Sequence, residues 1–150
     1  MTPTTSKPQQ RLTFEQFIAQ YPEDGRYELV DGEIVRILAT RQHDDVADFI
    51  AKQLDREVDR LSLNYKVSGR IVLATLTKDG KEQGRHPDVS VVSLEVWRSN
   101  RFAYSALREP IQLAVEVIST NWEDDYTDIL HQYKCSACGG YQLMREKGVK

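Results

Sequence analysis

Two acids stand out for the residues around them. Glu116 sits within Leu113-Ala114-Val115-Glu116-Val117-Ile118-Ser119, an otherwise apolar run of the kind a buried strand shows. An ionised carboxylate in such a place is costly unless something pairs with it, and a metal ion is the obvious partner. Asp88 follows Pro87, lies 28 residues before Glu116, and opens a second apolar run, Val89-Ser90-Val91-Val92. An Asp at the start of one strand and a Glu inside its neighbour can chelate a hard divalent cation, with the main-chain carbonyl of Val117 as a third ligand and water completing the shell. Such an ion lowers the pKa of water and neutralises charge on a phosphoryl oxygen, as phosphodiester hydrolysis requires. Spacing alone leaves the plainer reading open, in which each acid faces solvent or an Arg.

These acids need a sheet to hold them and helices to cover it. The chain has 150 residues, 40% apolar and 29% charged, enough for one core and too few for two. Residues 1–11, rich in Thr, Pro and Gln, are expected to be a disordered tail, 12–134 the domain, and 135–150 an atypical, disordered C-terminal tail. Thr13 and Gln16 form a capping-box pair for a short helix ending before Pro22, with Leu12 and Phe17 stapling its entry. Tyr27 to Val30 and Glu33 to Ile37 flank Asp31-Gly32, the signature of a hairpin. From Asp44 to Leu61, Val46, Phe49, Ile50, Leu54, Val58 and Leu61 recur at helical spacing, predicting one amphipathic helix over the sheet. Tyr65 to Leu76 reads as a strand that Lys78-Asp79-Gly80 turns back into Arg85 to Val92. Ser93 to Glu109 reads as a short helix and loop, Ile111 to Ile118 as the central strand, and Trp122 to Tyr133 as a closing helix.

The net charge of -3 gives no overall bias toward nucleic acid, so such binding must come from a local basic patch. Arg85, Lys78 and Lys81 cluster before Asp88 and are the candidates for meeting a phosphate backbone, although a solvated turn is the default. His86 alternates with Asp88, so an imidazole there can reach a metal shell or a phosphate. His131, Cys135 and Cys138 are too few ligands for structural zinc, and the two cysteines read as free thiols of a reducing compartment. No apolar run is long enough to span a bilayer and no secretory leader is visible, so the expected location is cytoplasmic, with no membrane partner.

Three blocks go further: Glu28-Leu29-Val30-Asp31-Gly32-Glu33, then Arg85-His86-Pro87-Asp88-Val89-Ser90-Val91, then Val115-Glu116-Val117-Ile118-Ser119-Thr120-Asn121-Trp122 with Asp124-Asp125-Tyr126. In this order they resemble the Uma-type family of restriction endonucleases, within the PD-(D/E)xK nuclease superfamily, over about residues 12 to 133. The resemblance implies an α/β (α+β) restriction-endonuclease-like core, a central mixed β-sheet flanked by helices. It implies magnesium, or manganese in its place, on Asp88 and Glu116, DNA as substrate, and a homodimer. It also implies that Glu28 lies near the same site and that His43 stands where relatives carry a polar residue near the cleft. The superfamily's lysine, two residues after the Glu, is Ile118 here, and its alternative place on the next helix is Ile129. Lys134 and His131 are left as poor substitutes. After Tyr133 the family pattern gives way to Lys134-Cys135-Ser136-Ala137-Cys138, which reads as a truncated or frameshifted end. Two functions follow as expectations: a metal-dependent endonuclease, or a nuclease fold without catalysis that serves as a DNA-binding or interaction domain or is a degenerate gene product.

Overall fold

The structure is a computed structural model that describes residues 10–100, 103–118, 131–132 and 141–145. Thr13 caps α1 (Phe14–Ala19) as expected: its hydroxyl accepts from the Gln16 N–H at 3.2 Å, and the Gln16 side chain accepts from the Thr13 N–H at 2.9 Å. The helix exists to bury Phe14 and Phe17 against Leu29 and Val72. β1 (Arg26–Val30) and β2 (Glu33–Ile37) form the expected hairpin, with Asp31 and Gly32 both at positive φ, 50° and 81°, as a type I′ turn demands. Side chains alternate along β1, so Leu29 enters this core while Arg26 and Glu28 share the opposite face.

α2 (Arg41–Arg60) starts three residues before Asp44, because the Thr40 hydroxyl accepts from the His43 N–H at 3.1 Å and caps the helix there. It leans on the sheet through a seam narrower than the periodicity suggests. Ala47, Ile50, Leu54 and Val58 face inward, whereas Phe49 is 63% exposed and Leu61 52%. Phe49 is one residue, about 100° of rotation, off that seam, and Leu61 lies past the last helical residue. Extending the seam back by four residues from Ala47 reaches His43, which is half-buried.

The run from Tyr65 to Leu76 divides into β3 (Tyr65–Ser68) and β4 (Val72–Leu76), and the returning run into β5 (Glu82–Arg85) and β6 (Val89–Ser93). β4 pairs with β5 and β3 with β6, both antiparallel. Leu73↔Arg85 in one half and Ser68↔Ser90 in the other lie on a single alignment, so the two pairs are one long hairpin broken in the middle. The break has local causes. Pro87 has no N–H to give to a ladder, and the Gly69 backbone comes so close to Asp88 that a Cβ on it would stand 2.9 Å from the Asp88 carbonyl oxygen. The His86 ring closes the gap, with Nε2 at 3.2 Å from the Gly69 oxygen.

After α3 (Leu94–Arg98), a two-residue strand β7 (Ala106–Leu107) lies parallel to β4, inside the stretch read as helix and loop. β8 (Leu113–Ile118) is the expected central strand; it pairs antiparallel with β6 and parallel with β9 (Tyr141–Arg145). Residues 141–145 of the segment expected to be an atypical tail are therefore strand, a correction that follows from the open edge β8 presents to them. The class is the expected α+β arrangement of mixed sheet and flanking helices. Hydrogen bonding divides it into a sheet ordered β2-β1-β5-β4-β7 and another ordered β3-β6-β8-β9. β4 has a core on each face: Val72 packs with Phe14, Phe17 and Leu29, while Ile71 and Leu73 pack with Val92, Ile111 and Ala114. No helix among the described residues is long and apolar enough to cross a membrane. The helix expected over residues 122–133 lies outside the described residues, except for His131 and Gln132, which are helical.

Gly69→Ala is expected to destabilise the fold by about 1–3 kcal/mol, because the new methyl meets a backbone atom that cannot rotate away. Urea titration checks this; an unchanged midpoint would show that the break in the hairpin does not depend on the close approach.

Candidate functional site

Asp88 lies just past the break in the hairpin and is 7% exposed. Carried on by one residue, the register that pairs Val89 with Val115 sets Asp88, just before β6, opposite Glu116 on β8. Asp88 is fixed there by a strong bond: its Oδ2 accepts from the Val117 N–H at 2.7 Å. Its Oδ1 stands 2.8 Å from His43 Nε2, and because an ionised carboxylate has no proton to give, the imidazole N–H is the donor. Arg26 adds an ion pair, Nη2 at 3.5 Å from the same oxygen. β8, α2 and β1 thus each send one donor to a carboxylate that burial would otherwise make costly to ionise. Glu116 is half-buried at the centre of β8.

The same face of β1 supports the approach to Asp88. Once β5 ends, the His86 peptide has lost its ladder partner and side chains take over: Glu28 Oε1 accepts from the His86 N–H at 3.0 Å, and Arg26 Nη2 donates to the His86 carbonyl at 3.4 Å. Glu28 Oε2 in turn accepts from Arg85 Nη1 at 3.0 Å, and Arg85 Nε donates to Gln132 Oε1 at 2.7 Å. Glu28, which the resemblance put near the site, therefore touches the main chain two residues before Asp88. The His86 ring is committed elsewhere. Nε2 donates to the Gly69 carbonyl, which leaves Nδ1 to accept from the Tyr21 hydroxyl at 3.4 Å. Burial, followed by the nearby Arg26 charge, pushes its pKa down to about 4, so the ring is neutral and structural near pH 7.

The donor chemistry of Asp88 and Glu116, two hard oxygen ligands side by side, fits a divalent cation in type. In number it is sparse. No three His, Cys, Asp or Glu side chains group to hold a metal among the described residues, so an ion on Asp88 and Glu116 would draw on main-chain oxygen, that of Val117 included, and water. Both Asp88 oxygens accept one short hydrogen bond each, which leaves lone pairs for a ligand. Lys78, Lys81 and Arg85, singled out by their clustering, line one cleft of about 510 Å³ with His131 and Gln132. Lys134, Ile129, Cys135 and Cys138 lie outside the described residues. Arg26 was missed by reading the sequence, although alternation puts it on the Glu28 face of β1. His43, which the resemblance put near the cleft, continues the inward seam of α2 and reaches Asp88.

A family model described as "Uma2: Putative restriction endonuclease" matches residues 14–144. The match runs past Tyr133 into β9, so the family pattern extends further than the motifs indicated. Among solved structures, a putative nuclease belonging to DUF820 from Anabaena variabilis superposes with a TM-score of 0.67 at 14% identity, covering 89% of this chain and 74% of that one. At that identity the likeness is one of fold. No curated protein sequence matches the chain.

The depressed pKa of His86 has a consequence for stability. Between about pH 4 and 6.5 the unfolded chain holds a proton on this ring that the folded one refuses, so stability is full above 6.5 and falls as pH drops toward 4. The loss is about 3 kcal/mol over that window. Replacing the ring in His86→Gln removes this contribution, and urea midpoints taken from pH 4 to 7 should show a shallower decline than the wild type; parallel declines would contradict the assignment.

Proposed function

Since the chain belongs to the Uma2 family of restriction endonucleases, we propose that it is a magnesium-dependent endonuclease that hydrolyses phosphodiester bonds in DNA, with manganese able to replace magnesium. The observation that carries this reading is the register of β6 on β8, which carried on by one residue sets Asp88 opposite Glu116, with Asp88 held to β8 by the Val117 N–H. Asp88, Glu116 and the Val117 carbonyl would hold the ion. Bound there, magnesium supplies charge neutralisation on the phosphate and an acidified water.

The protein's own residues do the rest. Asp88 and Glu116 hold two negative charges at one point, so a cation and a phosphate are drawn to it while water is ordered between them. Hydrolysis adds a water oxygen to phosphorus and breaks one P–O ester bond. The attacking oxygen gives up a proton and the leaving oxygen gains one, leaving a phosphomonoester end and a hydroxyl end. His43 fixes the orientation of Asp88 through the 2.8 Å contact, and Glu28 holds the His86 peptide so that Asp88 cannot swing away from β8. The cleft that Lys78, Lys81 and Arg85 line together with Asp31 and Asp79 offers three cations to the flanking backbone, and Arg85 is also paired with Glu28.

A second reading rests on Ile118. It occupies the position where the superfamily's lysine would stand, on the Glu116 face of β8, which favours a nuclease fold that binds DNA and does not cut it. Nicking of supercoiled plasmid in magnesium separates the two. Under the first reading the wild type nicks, Asp88→Ala loses activity by about 10²-fold or more, and His43→Ala by about 10–100-fold. Isothermal titration of magnesium gives an independent measure, with binding abolished in Asp88→Ala. Equal residual nicking by the wild type and Asp88→Ala would remove the endonuclease and leave the binding protein.

A further inference from the structure

We infer that Arg26 is the cation of this site that meets a backbone phosphate of the nucleic acid, the part for which Ile118 offers no charge. The inference rests on the nuclease reading of the Asp88 site and names a residue that reading does not use. Arg26 enters from β1, on the face it shares with Glu28, and points at Asp88 from the other sheet. Its two contacts are both long. Nη2 is 3.4 Å from the His86 carbonyl and 3.5 Å from Asp88 Oδ1, whereas the donors that serve Asp88 best are at 2.7 and 2.8 Å. Asp88 is therefore satisfied by Val117 and His43, and Arg26 is in excess of what the buried carboxylate needs.

The guanidinium is also incompletely used. A guanidinium has five N–H donors in a planar fork, and here only Nη2 is within reach of the Asp88 and His86 oxygens. Among the described residues Nε is buried with no hydrogen-bond partner. A buried N–H left unpaired costs about 1–3 kcal/mol. The side chain is nevertheless 30% exposed, so a ligand can reach it from solvent where Asp88, at 5%, is closed off. A tetrahedral oxyanion offers two oxygens at the spacing of that fork. A phosphate arriving at the Asp88–Glu116 pair could take two N–H bonds from the guanidinium, displacing its long contacts to Asp88 and His86. The increase of negative charge on its non-bridging oxygens during hydrolysis would strengthen both bonds.

The test uses the full chain with Arg26→Ala, and with Arg26→Gln, which keeps an N–H for the His86 carbonyl and removes the charge. Plasmid nicking in magnesium, binding of a short duplex oligonucleotide in calcium by fluorescence anisotropy across a salt series, and melting temperature are measured together. Both variants are expected to nick about 10²-fold more slowly, to be partly restored by added methylguanidinium, and to show a salt dependence of binding shallower by about one phosphate contact. Variants that nick and bind as the wild type does would overturn the proposal. So would slower nicking that tracks a lower melting temperature, with no restoration by methylguanidinium and an unaltered salt slope, because Arg26 would then be structural. Equal nicking by the wild type and Asp88→Ala sinks the endonuclease reading instead; a shallower salt slope in the Arg26 variants then still supports the phosphate contact, and an unchanged slope removes it as well.

Discussion

A negative charge held out of water needs donors, and in this protein the donors for Asp88 come from three separate elements. The Val117 N–H on β8, the His43 imidazole on α2 and the Arg26 guanidinium on β1 converge on one carboxylate. Leaving such a group ionised and unpartnered would cost several kcal/mol, a large share of the stability of a domain this size. The helix, the four-stranded sheet and the five-stranded sheet are thus tied together at the point where the chemistry is proposed. Loss of either short bond, from Val117 or from His43, is felt at the site and in the fold together.

That convergence is possible because the hairpin breaks where it does. An unbroken hairpin from Tyr65 to Ser93 would run its ladder straight through His86 and Pro87 and would place Asp88 in one sheet only. Pro87 cannot donate, Gly69 lets the backbones close on one another, and the His86 peptide is handed to the side chains of Glu28 and Arg26. Neutral His86 then seals the gap between the two halves. The His86 N–H and carbonyl and the Gly69 carbonyl, released from the ladder, are re-engaged by side chains, which lets the irregularity sit inside a packed molecule.

The sequence made plain whatever is decided over short distances. The Asp31-Gly32 turn and the Thr13–Gln16 capping box are local chemistry, and both appear in the structure where expected. The division of Tyr65 to Leu76 between two sheets was hidden because a β-branched run looks alike whether straight or bent. β7 is too short to have a period. Phe49 and Leu61 were assigned to the buried stripe because hydropathy marks residues that prefer burial and not the width of the surface available to receive them. Arg26 and His43 were hardest to see, since their contacts with Asp88 span 62 and 45 residues of sequence and depend on how sheets and helix are set against each other.

The single alignment shared by the two halves of the hairpin has a consequence for how such a protein can diverge. Each half is clamped by its own neighbours, β1 and β7 on one side and β8 on the other. The tip at Lys78-Asp79-Gly80 is exposed and lies beyond both clamps. Residues inserted there lengthen a loop and leave the register behind it intact, whereas a single residue inserted between Gly69 and Ile71 would turn every later side chain of β4 to the wrong face. The tip therefore tolerates added length, and the break does not.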